Sequence, residues 1–165
     1  MGLTAKQRII NAYENLQAFE EELALYYEGA IKKCGELAEF WESASFLKKT
    51  RANLYANLIE DAGPNWRYYQ LDRGVSGSFI NLINKIKAEN NRSDNRILSL
   101  SSIGRFAYEV EIAPISTKLF PVITGTNPTF GTINLILEEI QHRQVRLIKG
   151  LLDSNKQSSE YSLAK

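Results

Sequence analysis

Glu139 and His142 stand three residues apart in Glu138-Glu139-Ile140-Gln141-His142, inside a stretch that otherwise reads as one long helix. On a helix that spacing sets a carboxylate and an imidazole about one turn apart on one face. Such a pair can grip a metal ion from one side. A two-metal site is complete when two helices each carry a Glu-x-x-His pair and two more each supply a single Glu. His142 is the only histidine of the chain, so a second pair of this kind cannot be present. Two other charges are conspicuous because each interrupts an apolar stripe: Glu20, with Glu21 as its neighbouring alternative, and Arg51.

Helices of the right length surround these residues. The first is expected over about 4–33, with Tyr13, Leu16, Leu23, Tyr27 and Ala30 at three-four spacing and Glu20 filling the gap. Gly35 reads as its stop. A second helix over 36–61 carries Phe40, Ala44, Leu47, Arg51, Leu54 and Leu58 on one stripe and ends at Gly63-Pro64. The pattern then breaks from 65 to 77. A short helix follows, with Ser78 as its cap and Phe79, Leu82, Ile83 and Ile86 on one face, and 90–94 reads as a turn. This stretch is too long for a hairpin and suits a crossover running the length of a bundle.

A third long helix is expected over 94–124. Pro114 lies inside it and implies either a kink near Val110 or a break at Ala113; Pro121 lies further along. Asn127-Pro128 starts the fourth, which carries Leu135, Glu139, His142, Leu147 and Leu151. No strand signal stands out. The fold class is therefore all-α: one domain over 1–153 built as a four-helix bundle with a short extra helix in the crossover, then a polar tail over 154–165 that frays.

Bulk composition narrows the function classes. The chain has 165 residues, 44% of them hydrophobic, enough for one domain with a proper core. A net charge of +1 gives no electrostatic reason to expect nucleic acid or an acidic membrane. The lone Cys34 excludes an internal disulfide and a cysteine metal cluster. No apolar run reaches the ~20 residues of a membrane span, and the polar start of the chain does not read as a signal peptide. The expectation is a soluble cytoplasmic protein. The eight tyrosines read as core residues whose hydroxyls reach partners, rather than as redox groups.

The order and spacing of these residues resemble the ferritin-like superfamily, and within it the rubrerythrin-like di-iron proteins, over about Glu14 to Leu152. The family's first-helix Glu stands seven residues before a Tyr, as Glu20 does before Tyr27. Its second helix has an aromatic pair followed by Glu-x-x-His. Here Phe40-Trp41 matches the aromatics, and counting on reaches Lys48 and Arg51. Its third helix has a single Glu eight or nine residues before a Phe, matched by Glu111 and Phe120 better than by Glu109. Its fourth carries the second Glu-x-x-His, which is Glu139 and His142.

The departure alters what the resemblance implies. Four carboxylates and two neutral imidazoles would balance two divalent ions. This chain supplies Glu20, Glu111 and Glu139, and sets Lys48 and Arg51 against them. Buried charges must be paired, and a guanidinium cannot become a metal ligand. The expectation is a di-metal centre replaced by an internal salt-bridge network, with no cofactor and a structural, regulatory or ligand-binding role. The alternative is a metal-binding oxidoreductase, reducing peroxide or oxidising iron, that holds iron or manganese on Glu20, Glu111, Glu139 and His142. No Cys-x-x-Cys module for electron entry accompanies it. A small ligand in the cavity between the helices, opened by the Pro114 bend, is a third expectation. The resemblance allows a homodimer through the aromatic crossover.

Overall fold

The computed structural model describes residues 2–33, 37–71, 77–92, 99–116, 123–125 and 128–163. Helices dominate it: α1 (Ala5–Lys33), α2 (Ala38–Asn65), α3 (Gly77–Asn90), α4 (Leu100–Ser116) and α5 (Pro128–Leu163). One 3-10 turn, Trp66–Tyr68, follows α2. Two three-residue strands, β1 (Tyr69–Leu71) and β2 (Ile123–Gly125), pair antiparallel with Tyr69 opposite Gly125 and Leu71 opposite Ile123. This ribbon corrects the strand-free expectation. Three residues are too few for a period of two to register in a sequence. It ties the connection after α2 to the connection before α5, and the Tyr69 ring meets the Tyr13 ring of α1 edge-on with centroids 5.9 Å apart.

Long-range contacts fix the helix directions. Tyr27 stacks on Trp41, Glu20 pairs with Lys48 and Arg51, and Tyr13 meets Tyr55, so α1 and α2 run antiparallel. Glu111 meets Gln141 at one level, and a Cβ on Gly104 would touch Leu152 at another, so α4 and α5 are antiparallel as well. The crossover helix α3 lies on α1, with Phe79 against Phe19 at 5.1 Å and the Asn90 carboxamide donating to the Glu22 carbonyl at 2.9 Å. α1 is the central element: its buried residues include Ile9, Tyr13, Leu16, Phe19, Leu23, Tyr26 and Tyr27, more than one face of the helix.

Three element ends differ from the sequence reading. α2 runs through Gly63 and Pro64 to Asn65, and α4 runs past Pro114 to Ser116. Each proline sits in the final turn, where its ring removes one hydrogen bond without breaking a long run. Pro114 is buried, and the Ser116 hydroxyl donates to the Ala113 carbonyl at 3.1 Å. The 154–165 segment, expected to fray, continues α5 as helix to Leu163. Gly35, Cys34 and Pro121 lie outside the described residues. α2 begins after Leu37, whose φ of 60° places a β-carbon-bearing residue in the left-handed region, at a cost of roughly 1–2 kcal/mol. Its carbonyl receives the N–H groups of Phe40 and Trp41 in return. Among the described residues no helix is long and apolar enough to cross a membrane.

Candidate functional site

Four helices place charged or polar side chains at one buried level. Glu20 comes from α1, Lys48 and Arg51 from α2, Glu111 from α4 and Gln141 from α5. Their spacing along each helix makes this possible. Lys48 and Arg51 are one turn apart, on the same side of α2 as the buried Ala44, Ala52 and Tyr55. Glu20 continues the α1 stripe of Leu16, Leu23 and Tyr27. All of these polar groups except Arg51 are 0% exposed, and Arg51 is 2% exposed.

Lys48 stands at the centre. Its Nζ lies 2.7 Å from Glu111 Oε2, 3.2 Å from Glu20 Oε2 and 3.3 Å from Gln141 Oε1. An ammonium has three N–H donors, and each has an oxygen to meet. Arg51 extends the network sideways: Nη2 reaches Glu20 Oε1 at 2.8 Å and Nη1 reaches Gln141 Oε1 at 2.6 Å. The Gln141 carboxamide returns an N–H to the Glu111 carbonyl at 2.8 Å and another to the Glu111 carboxylate. Tyr27 donates its hydroxyl to Glu111 Oε1 at 2.5 Å. The charges are two negative, Glu20 and Glu111, against two positive, Lys48 and Arg51, so the cluster sums to zero.

The network moves the acidities of its neighbours. Burial alone lowers the affinity of the Arg51 guanidinium for its proton, but the Glu20 carboxylate, Tyr55 and Glu111 outweigh it, and the group ends above its ordinary value. Burial pushes the Tyr27 hydroxyl well above the usual phenol range, and the Glu111 carboxylate pushes it further. Burial also raises Tyr55 to about 12, although the adjacent Arg51 pulls the other way. The site therefore keeps its phenols protonated and the Arg51 guanidinium charged.

The neighbouring candidates point outward. Glu21 is exposed and takes an N–H from Gln17 at 2.8 Å. Lys49 pairs with Glu28, and Glu109 pairs with Lys85, all on the surface. Glu139 and His142 require a correction. Glu139 is 70% exposed and bonds Arg146 at 2.8 Å, and His142 is half-exposed with its Nε2 3.7 Å from Glu138. The buried stripe of α5 is Leu137, Gln141, Gln144, Val145 and Ile148. The expected stripe through Leu135 and Leu147 lies two residues away, and those leucines are 68% and 48% exposed. Two residues on a helix are a rotation of about 200°, which turns the Glu139–His142 pair to the opposite face.

Gln141 and Gln144 are the polar residues that the charge-based reading passes over. A carboxamide does not stand out against polar helix surface. The signal that marks them is register: they fall at the i+4 and i+7 positions from Leu137, with Ile148 at i+11.

The donor set is poor for a metal pair. Among the described residues no three His, Cys, Asp or Glu side chains come together to hold a metal ion. The two carboxylates that do face each other, Glu20 and Glu111, already share Lys48. The positions beside them carry a guanidinium, which has no lone pair to donate, and carboxamides, which bring no charge. What the arrangement does chemically is fasten four helices through a neutral, buried ion network. Comparisons of the chain with protein-family models, with curated proteins and with solved structures find no match.

Proposed function

We propose that this chain is a ferritin-like, rubrerythrin-related protein in which a Lys/Arg–Glu–Gln network occupies the place of the di-metal centre, and that its role is structural, regulatory or ligand-binding rather than oxidative. One observation carries the reading. A two-metal site of this kind uses a single Glu from each of two helices and a pair spaced by three from each of the other two. The buried polar residues here follow that layout: Glu20 alone on α1, Glu111 alone on α4, Lys48-x-x-Arg51 on α2 and Gln141-x-x-Gln144 on α5. Each pair keeps the spacing of Glu-x-x-His with other side chains in it. The pairwise contacts support the same layout, since Arg51 sits on Glu20 and Lys48 bridges both carboxylates.

The network supplies internally the two positive charges closest to the carboxylates and repels any further cation from the same space. The residual-site alternative loses two of its four ligands, because Glu139 and His142 lie on the outer face of α5. The experiment is a four-substitution variant, Lys48→Glu, Arg51→His, Gln141→Glu and Gln144→His, compared with the parent chain by cobalt or ferrous ion titration. The variant is expected to take up two ions per chain and the parent none in the buried level. A helical variant that binds no metal would refute the proposed layout.

A further inference from the structure

From the ion network toward the start of α4, helices α4 and α5 come close together. A Cβ on Gly104 would stand 2.9 Å from Leu152 Cδ2, so glycine is what lets the two helices meet there. Beside this contact they enclose a cavity of about 220 Å³, lined by Arg105 and Tyr108 of α4 and by Lys149, Leu152 and Asp153 of α5. Spacings of three and four residues set each group on one face of its helix. Tyr108 and Leu152 are half-buried and pack on the core, which gives the cavity an apolar floor. Arg105, Lys149 and Asp153 are exposed, so the charges stand at its mouth. Two cations, one from each helix, face one acid there, and the lining sums to one positive charge. The surface ion pairs of the described residues, such as Lys85–Glu109 and Arg146–Glu139, leave Arg105, Lys149 and Asp153 out.

We propose that this cavity binds a small aromatic monocarboxylate, its ring on Tyr108 and Leu152 and its carboxylate between Arg105 and Lys149. The charge follows from the lining. A guanidinium fork donates to both oxygens of a carboxylate, and an ammonium adds a second cation. One negative charge neutralises the mouth, and Asp153 disfavours a second. The size follows from the volume. A cavity of about 150 Å³ already holds a benzene ring, and pockets for larger ligands run to roughly 300–1,000 Å³. At about 220 Å³ this one takes a single ring with its carboxylate. Arg105 lies six residues before Glu111, about 9 Å along α4, so the cavity is separate from the ion network. The site stands whether or not that network replaced a metal pair.

Benzoate titrated into the intact, nitrogen-15-labelled chain tests it. Saturable shifts centred on the backbone amides of Arg105, Tyr108, Lys149 and Leu152 are expected, half-complete at about 1 mM or below. Benzamide keeps the ring without the charge, and acetate keeps the charge without the ring; each should bind at least about tenfold more weakly. Arg105→Gln and Lys149→Gln should each weaken benzoate by about tenfold. Both residues are exposed, so the helical circular dichroism should not change. Asp153→Asn should tighten benzoate by about two- to threefold, because it removes the one negative charge of the lining. Shifts that fail to saturate, acetate binding as well as benzoate, or a benzoate affinity unmoved by Arg105→Gln would overturn the site.

Discussion

Replacing Lys48 with Met removes the central charge while keeping the length and apolar stem of the side chain. The structure sets the size of the effect. Lys48 is fully buried and touches Glu111 at 2.7 Å and Glu20 at 3.2 Å. In Lys48→Met, Glu20 keeps Arg51, but Glu111 keeps only neutral partners, Tyr27 and Gln141. The cluster changes from zero to one uncompensated negative charge in a dry interior. Breaking a buried pair from one side costs about 3–5 kcal/mol. Against the 5–15 kcal/mol that typically separates folded from unfolded domains, that is a fifth of the stability or more. Urea unfolding followed by far-ultraviolet circular dichroism reads it as a lower midpoint at unchanged slope. Adding Glu111→Gln restores a neutral cluster around the Glu20–Arg51 pair and is expected to recover about 1–3 kcal/mol. A loss below about 1 kcal/mol in Lys48→Met, or no recovery in the double variant, would show that the ammonium is not buried between the two acids.

Further outcomes follow from the same geometry. Tyr55 is raised from 10.0 to about 12, so its protonated form contributes stability that is intact below pH 10 and lost as pH climbs through 12. The folded chain holds the proton longer than the unfolded one, which makes the slope negative there; Tyr55→Phe should flatten the alkaline limb of a stability-against-pH profile between those values. Glu139→Ala and His142→Ala, both on the outer face of α5, should each change the unfolding free energy by no more than about 0.5 kcal/mol, measured by the same urea titration. Leu37→Gly should raise thermal stability by about 1 kcal/mol, since glycine enters the φ of 60° without a β-carbon penalty; a calorimetric melt checks the direction.

How much of this was legible from residues alone varies by element. The inward set on α1 and α2 was readable because a charge interrupting an apolar stripe has few places to go: Glu20 among Leu16, Leu23 and Tyr27, and Arg51 among Leu47, Leu54 and Leu58. Lys48 and Glu111 came from spacing in a resembled pattern, and both side chains lie in the buried level. α5 misled for a physical reason. It carries aliphatics on more than one face, with Leu135, Ile136 and Leu147 exposed and Leu137, Val145 and Ile148 buried. Apolar period then does not choose a face, and the only histidine drew the register two residues away from the true one. The buried pair Gln141 and Gln144 has no charge to announce it. The two short strands were invisible because pairing between positions 69 and 125 is a tertiary fact, made by packing against Tyr13 rather than by local preference.

At the level where four helices meet, the Lys48 ammonium sits between the Glu20 and Glu111 carboxylates. The most direct measurement is the nitrogen-15 spectrum of the Lys48 side chain, with correlations across its hydrogen bonds to carboxylate carbons. A slowly exchanging ammonium coupled to both Glu20 and Glu111 is the predicted result. A fast-exchanging Lys48 signal, averaged with those of the surface lysines and coupled to neither acid, would place the ammonium outside the buried level.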